Sequence, residues 1–513
     1  MKKMKLQILH TSDIHGSIYP HDYATMQNRH QGLGKLSTLI KKLKEDNSLL
    51  IDGGDIIQGS PLVYYHQLKH PNQVHPMSLA MNALNYDYIA VGNHEFNYGI
   101  DNLLNYFNNS TATVLNATIL NEEKELLVGK PYDIKEINGL KVGVIGVTTQ
   151  YIPNWEQPHI IKGLTFLDAF ETTKKYVKEI RNDVDLLIVN YHGGFERDLE
   201  TNELLVADTG ENQGSKMINE IEGIDILLTG HQHRTLMGTR NGVFYSQPSY
   251  NGSMLNEINI SCTYEDKWSF DVTGKHHLLE KVETDTSVFE PIKKVEKETQ
   301  VFLDQIVGNF DKDYLISDQL EARLHKHPLV SFFNQVQLAK THADVSLTSL
   351  GNGVVGFNKE VTVRNILGTY VYPNTLVVKK MTGHTLLKGL EKTAEFFDVE
   401  EDKIVISKKY THPKFELYAY DMYDGIEYTI DVSKPHGSRI TSITKNGETL
   451  DLNKEYNIVM NNYRSAGGGD YAFYAEAETV QEISEEIAQM VIDYVLEHKE
   501  ITVQHKDNIK IVK

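Results

Sequence analysis

Short apolar runs that end in polar or glycine-rich turns recur through the first half of the chain. The segments are LQILHTSDIHG, SLLIDGGDIIQG, YIAVGNHEFNYG, KVGVIGVTT, VDLLIVNYHGG and IDILLTGHQH. Each run is typical of a buried strand, and helical patterns such as KLSTLIKKLKED separate several of them. The alternation predicts a layered α/β fold, in which ligands gather at the carboxyl ends of the strands.

The pattern changes to a helical period from about Phe289 to Gln337, in FEPIKKVEKETQVFLDQI and HPLVSFFNQVQLAKTH. Strand-like TLVVKKMTG, GIEYTIDV and YNIVMNNY follow, and EEIAQMVIDYVLEHKE is helical again. A chain of 513 residues is too long for one compact core. We predict a first domain at 1–285, a helical connector at 286–325 and a second α/β domain at 326–513.

Composition narrows the class of partner. A formal net charge of −19 argues against binding of polymeric nucleic acid, which needs Lys and Arg to replace counterions. The single cysteine, Cys262, cannot form an intrachain disulfide. The opening MKKMKLQILHTSDIHG lacks the apolar core of a signal peptide, and no stretch approaches a membrane span. We predict a cytoplasmic protein that binds no membrane, while export by another route and the oligomeric state stay open.

The polar turns carry groups that bind divalent cations. They supply Asp13, His15, Asp55, Asn93, His94, His192, His231 and His233. Hard and borderline cations prefer carboxylate, imidazole and amide oxygen, so Mn, Zn, Fe and Co all suit this set. A single Asp or His at a strand end is more often a turn residue, but a series on successive strands favours two ions. A bridging carboxylate must lie centrally, and Asp55, which follows two glycines, is the candidate.

The motifs DIHG, GGDIIQGSP, GNHEFNYG, NYHGG and GHQH, in this order, resemble the calcineurin-like metallophosphoesterases, and specifically the 5'-nucleotidase family. The resemblance covers nearly the whole chain. It implies an N-terminal β-sandwich flanked by helices and a C-terminal nucleotide-recognition domain. It also implies that Asp13, His15, Asp55 and His233 hold one ion, and that Asp55, Asn93, His192 and His231 hold the other. A water shared by two cations loses its proton near neutral pH and can attack phosphorus.

The resemblance implies that His94 is not a metal ligand and that it stabilises the transition state or serves the leaving oxygen. General acid chemistry by histidine contributes typically 10²–10⁴-fold in rate. The family's 5'-nucleotidases usually place an Asp three positions later to orient this histidine, whereas this chain has Asn97. We therefore expect His94 to lack that carboxylate partner, which favours a neutral imidazole.

Two aromatic segments of the second half, ELYAYDMYDGIEYTIDVSKP and NNYRSAGGGDYAFY, are candidates for stacking on a base. For either segment alone, packing in a core is the more common role. The resemblance implies that Tyr418 or Tyr420 lies on one side of the base and Tyr471 on the other. Candidate contacts to ribose or phosphate are Asn462, Arg464 and Asp470, although a structural ion pair is an alternative for Arg464.

Several phrases are more similar to the 2',3'-cyclic-nucleotide 2'-phosphodiesterase/3'-nucleotidases than to the 5'-nucleotidases: IIQGSPL, GNHEFNYG, YVYPNTL, YDGIEYTIDVSKP and NNYRSAGGG. The stretch SLTSLGNGVVGF also lacks the arginine that faces the substrate in the 5'-nucleotidases. We expect hydrolysis of 2',3'-cyclic and 3'-nucleotides. The first alternative is hydrolysis of 5'-nucleotides or nucleotide sugars. The second is a catalytically silent nucleotide-binding protein, against which the complete ligand set counts.

Overall fold

The computed structural model describes residues 2–205, 209–483 and 485–513. The chain divides into two compact units, 1–299 and 300–513. Within the described residues, no helix is both long and apolar enough to cross a membrane.

Two six-stranded sheets form the centre of the first unit. One has the order Trp268–Leu278, Met254–Tyr264, Lys2–Thr11, Ser48–Asp52, Tyr88–Ala90 and Thr113–Leu115. The other has the order Thr235–Arg240, Val243–Pro248, Ile226–Thr229, Leu186–His192, Leu140–Thr148 and Tyr132–Ile137. A small two-stranded sheet joins Ile119–Leu120 to Thr165–Phe166. In both large sheets the central strands are parallel, which places their carboxyl ends at one edge.

The core of this unit lies between the two sheets. Leu6 and Ile8 of one sheet and Val142, Ile188 and Leu228 of the other belong to a single cluster of fully buried side chains. Strands covered on both faces read as continuous apolar runs, which is why the sequence shows them so clearly. The predicted layered α/β fold and the β-sandwich that the resemblance implies are confirmed.

Helices flank the sandwich in the first unit. They span Leu33–Leu43, Pro61–Lys69, Pro76–Leu84, Ile100–Asn108, Ala169–Ile180 and Gly214–Glu220. The first shows why they form: Leu36, Leu39 and Ile40 are buried on one face, while Lys41 and Lys42 lie in the last turn, where positive charge is favourable.

The segment predicted as a helical connector is helical in its first half and again at Gln319–Leu324, with strands between. A 3₁₀ turn at Thr286–Ile292 leads into the helix Lys293–Leu303, and then Ile306–Phe310 forms a strand. That strand pairs with Glu360–Thr362 and Glu500–Ile501, partners far along the chain that a local pattern cannot reveal. The helical prediction is wrong for this part, and the domain boundaries at 285 and 326 stay a prediction.

The second unit is also α/β. Its main sheet has the order Met422–Asp424, Val345–Thr348, Glu455–Asn461, Leu376–Thr382 and Glu478–Ile483. A four-stranded sheet has the order Glu448–Thr449, Ile440–Lys445, Glu427–Asp431 and Ile509–Val512. Two-stranded pairs join Tyr314–Leu315 to Gly356–Phe357 and Phe397–Glu400 to Lys403–Ile406. The helices are Gln319–Leu324, Pro328–Thr341, Val363–Thr369, Gly383–Ala394, Asn462–Ser465, Ala472–Ala475 and Ile487–His498.

Candidate metal centre

The structure brings all the predicted metal ligands of the first unit together at the strand ends. Two groups have ligand atoms within 4.8 Å of one another: Asp13, His15 and His233, and Asp55, His192 and His231. Asn93 belongs with the second group, because its Oδ1 lies 3.1 Å from His192 Nε2 and 2.8 Å from His231 Nδ1. The bridging role of Asp55 and the division of ligands between two ions stay a prediction.

The backbone at these turns adopts an uncommon conformation. Positive φ angles occur at Asp13 (55°), His15 (50°), Asp55 (58°), His231 (66°) and His233 (57°). A non-glycine residue in this region costs on the order of 1–3 kcal/mol and persists only where its surroundings enforce it. Such residues often cluster at functional sites, and these five gather at the strand-end turns.

Three of the histidines, His15, His192 and His231, hold one ring nitrogen outward and turn the other towards the centre. His15 Nδ1 donates to the carbonyl of Gln58 (3.0 Å) and His192 Nδ1 to the carbonyl of Gly53 (2.6 Å). His231 Nε2 lies 2.8 Å from the carboxylate of Glu211. Because these oxygens only accept, each neutral ring has its lone pair on the other nitrogen. Such outer contacts are typical of metal-binding histidines.

The inward-facing atoms suit cations. His15 Nε2 lies 3.0 Å from His233 Nε2, and His192 Nε2 lies 3.1 Å from Asp55 Oδ2. Asp55 Oδ2 is buried, and the His192 ring is its close partner. The lone pair on Nε2 of a neutral His192 faces the Asp55 carboxylate, and the two repel unless a cation lies between them. Zinc, for example, binds imidazole nitrogen at about 2.0–2.1 Å. The donor set therefore fits divalent metal ions, without selecting one.

Buried acids make this region negative. Burial raises the pKa of Asp13 to about 7; nearby His192 opposes the rise and the Asp55 carboxylate adds to it. Burial and Asp55 likewise raise the pKa of Glu95 to about 7. Crowded carboxylates in a site shielded from water favour bound cations, which offset their mutual repulsion.

Glu95 was missed from the sequence, and it organises the turns. Its carboxylate accepts hydrogen bonds from the backbone nitrogens of Asp55 (3.0 Å), Ile56 (2.6 Å) and Gly92 (2.6 Å). A Cβ at Gly92 would collide with the Asp55 carboxylate. The glycine therefore permits the close approach that places Asp55 beside Asn93.

His94 lies at the edge of the same site. Its backbone nitrogen donates to Asp55 Oδ1 (2.7 Å), and its ring contacts that of His15 edge to face at 5.2 Å between centroids. Its Nδ1 lies 2.6 Å from Asn97 Oδ1. The structure thus joins His94 to Asn97, and their catalytic roles stay a prediction.

The structure does not support the stacking roles predicted for Tyr420 and Tyr471. Tyr420 is 0% exposed and packs against Phe396 and Phe397, and Tyr471 is 1% exposed. A ring without an accessible face cannot stack on a base. These tyrosines form part of the core, the alternative that their β-strand propensity already favoured.

The contact between Arg464 and substrate is not supported either. The side chain is 2% exposed, and its Nε lies 2.7 Å from Oδ2 of the fully buried Asp421. Asn462 Oδ1 accepts a hydrogen bond from the backbone of Thr375 (2.9 Å). Arg464 is thus a structural ion pair, and Asn462 is engaged in holding a turn.

Asp470 lies at the surface within a cluster of charges. Its carboxylate is 3.0 Å from Lys392 Nζ and 3.3 Å from Lys409 Nζ. Both lysines also contact Glu395, at 2.9 and 3.1 Å. Its predicted contact with ribose or phosphate stays a prediction.

A half-buried group of tyrosines in the second unit includes two, Tyr372 and Tyr463, that the sequence reasoning missed. The ring of Tyr418 contacts Tyr372 at 5.6 Å and Tyr463 at 6.4 Å between centroids. Tyr463 belongs to the same NNYRSAGGG segment as Arg464. The sequence does not show which aromatic side chain of this segment faces outward, and the role of the segment in base stacking stays a prediction.

A β-sandwich whose strand ends gather two groups of carboxylate, imidazole and amide ligands defines a metallophosphoesterase. Residues 6–235 match the family model of the calcineurin-like phosphoesterases. Residues 306–476 match the model of the 5'-nucleotidase C-terminal domain.

Relatives match this chain over nearly its whole length. A structure of a provisionally named 5'-nucleotidase from Staphylococcus aureus has 34% identity and a TM-score of 0.94, covering 99% of this chain and 100% of that one. A 2',3'-cyclic-nucleotide 2'-phosphodiesterase/3'-nucleotidase from Salmonella typhimurium is 29% identical over 90% of this chain and 81% of its own length. The trifunctional nucleotide phosphoesterase YfkN from Bacillus subtilis is 26% identical over 99% of this chain, which spans only 39% of that protein.

The chain therefore belongs to the 5'-nucleotidase family of calcineurin-like phosphoesterases, and it is a metal-dependent phosphoester hydrolase.

Proposed function

We propose that the protein hydrolyses nucleotide phosphate esters, opening 2',3'-cyclic nucleotides at the 2' bond and removing phosphate from 3'-nucleotides. The pair of ligand groups with Asn93 beside them carries the chemistry of this proposal. The substrate class follows from the relatives that are named for it and from the YVYPNTL and NNYRSAGGG phrases.

Two divalent cations held by these side chains would supply positive charge to the phosphoryl oxygens and to the attacking water. The protein contributes position. The outer contacts of His15, His192 and His231 keep their rings in one orientation, so the site is arranged before substrate arrives. His94 is fixed by Asn97 and by its own backbone bond to Asp55, and its proposed role is to serve the leaving oxygen.

For base recognition we propose Tyr418 together with Tyr463 in place of Tyr471. Both rings are half-buried, and they meet nearly perpendicular at 79°. Stacking on an aromatic side chain is worth about 1–3 kcal/mol per base and tolerates any base. The buried Arg464 stacks on Tyr471, 4.1 Å from the ring centroid, and supports the segment from inside.

A hydrolysis panel tests the proposal. Purified protein with added Mn²⁺ is assayed on 2',3'-cyclic AMP, 3'-AMP, 5'-AMP and a nucleotide sugar. We expect the first two to have the highest kcat/KM and all activity to vanish in Asp55→Asn and in chelator. Silence of the wild-type protein on all four substrates would contradict the proposal.

The second candidate is hydrolysis of 5'-nucleotides, because the Staphylococcus aureus structure with 34% identity is named for that activity. In the panel it predicts that 5'-AMP exceeds both 3'-AMP and the cyclic substrate. The metal identity among Mn, Zn, Fe and Co and the cytoplasmic location stay predictions.

A further inference from the structure

A buried glutamate, Glu156, lies behind the pair formed by His94 and Asn97. Asn97 Nδ2 donates to Glu156 Oε1, and His94 Nδ1 is 2.6 Å from Asn97 Oδ1. Glu156 is 7% exposed and comes from a loop 59 positions after Asn97. The three side chains form a continuous series of polar contacts from a carboxylate to the imidazole.

The carboxylate fixes the direction of every hydrogen bond in this series. An ionised carboxylate only accepts, so Asn97 turns its NH₂ group towards Glu156 and its oxygen towards His94. The amide oxygen also only accepts, so His94 Nδ1 carries a hydrogen. The second nitrogen, Nε2, is then the one that can serve the substrate.

We propose that Glu156 is a positioning residue for His94: acting through the Asn97 amide, it sets the orientation of the ring and keeps the hydrogen on Nδ1. A carboxylate thus supports the histidine through one intervening side chain, although the sequence predicts that His94 lacks the carboxylate partner usual in the 5'-nucleotidases. Burial raises the pKa of Glu156 to about 7, so assays at pH 8 keep it ionised.

The inference rests on the proposed function. In that reaction the oxygen of water bonds to phosphorus and the P–O2' bond breaks, while the proton that water gives up passes to His94 Nε2 and from there to the departing 2'-oxygen. An alkoxide leaves poorly without that proton, whereas p-nitrophenolate leaves well without it. A defect in positioning His94 should therefore depend on the leaving group.

Glu156→Gln is the first test, because it keeps the shape of the side chain and removes its charge. A glutamine can donate as well as accept, so the Asn97 amide is no longer held in one orientation. With 2',3'-cyclic AMP at pH 8 we expect kcat to fall about 10-fold or more with KM within about 2-fold, since a well-placed general acid contributes roughly 10²–10⁴-fold. With bis(p-nitrophenyl) phosphate the rate should stay within about 2-fold, and metal content should be unchanged. Equal losses on both substrates, or no loss on either, would overturn the proposal.

Two further variants separate positioning from general damage to the fold. In a His94→Ala background, Glu156→Gln should cause no additional loss, because there is no ring left to position. Combining Asn97→Asp with Glu156→Gln exchanges the order of carboxylate and amide while keeping a hydrogen-bonded series, and it should recover most of the rate lost in Glu156→Gln. An additional loss in the first case, or no recovery in the second, would contradict the inference.

A spectroscopic measurement needs no turnover, and so separates this inference from the proposed function. In zinc-loaded protein labelled with ¹⁵N-histidine, the His94 resonances, identified by their loss in His94→Ala, should show a protonated Nδ1. Glu156→Gln should shift or broaden that resonance. An unchanged Nδ1 would refute the inference even in an active enzyme, and a shifted Nδ1 would support it even if the wild-type protein hydrolysed none of the four nucleotides.

Discussion

Removing the carboxylate of the buried pair between Arg464 and Asp421 should strongly destabilise the second unit. Asp421 is 0% exposed and Arg464 is 2% exposed, and their closest atoms are 2.7 Å apart. Asp421→Asn removes the carboxylate partner and leaves a guanidinium charge inside the protein, where its remaining contacts include the neutral carbonyl of Gly468.

The expected magnitude follows from this burial. Breaking a buried ion pair costs roughly 3–5 kcal/mol, and since asparagine keeps one amide oxygen near the guanidinium we use about 3 kcal/mol. For a domain of this size that corresponds to a fall in Tm of about 6–12 °C. Differential scanning calorimetry of the full chain measures the shift.

The matched control is Asp470→Asn. Asp470 contacts two lysines at 3.0 and 3.3 Å, but its side chain is 49% exposed, so its ion pairs should contribute less than about 1 kcal/mol. If Asp421→Asn lowered Tm no more than Asp470→Asn, the structural role of Arg464 would be refuted and its direct contact with substrate would become the better explanation.

Three further outcomes follow from the structure. Burial lowers the pKa of the fully buried His10 to about 3, whereas its unfolded value is near 6.5, so protonation of the unfolded state destabilises the fold as the pH falls below about 6.5. Urea unfolding should show a loss of about 2.5 kcal/mol in the free energy of unfolding between pH 6.5 and 4.5. The His10→Gln variant should lack this part of the pH dependence. Tyr463→Ala should raise KM for 2',3'-cyclic AMP about 5-fold or more, whereas Tyr471→Phe should leave KM unchanged, because only the first ring is half-buried; equal effects would contradict this. Gly92→Ala should lose bound Mn²⁺ measured by elemental analysis after dialysis, because the new Cβ would collide with Asp55, and full metal content would contradict this.

The ligand set could be predicted from the sequence because parallel strands place their carboxyl ends at one edge of a sheet. Asp13, Asp55 and Asn93 each follow a strand of the same sheet. Their positions in the sequence therefore predict that the three side chains lie close together. Because both faces of those strands are buried, the strands are continuous apolar runs, and their positions can be predicted from the sequence alone.

The supporting contacts could not be predicted, because they come from distant or backbone groups. The carbonyls of Gln58 and Gly53 orient His15 and His192. Every residue has a backbone carbonyl, so the sequence does not show which of them accepts these hydrogen bonds. Glu156 comes from a loop 59 positions beyond its partner Asn97.

The burial of Tyr471 could not be predicted for a similar reason. Both lie in one aromatic and glycine-rich segment, and only tertiary packing decides that the first is 1% exposed while the second is half-buried.

The most direct test of the proposed activity is a ³¹P NMR time course of 2',3'-cyclic AMP with the Mn²⁺-loaded protein. We predict that the cyclic phosphate resonance declines while 3'-AMP accumulates and then gives way to inorganic phosphate, and that chelator stops both steps. An unchanged cyclic resonance, under conditions in which 5'-AMP releases phosphate, would contradict the proposed substrate class.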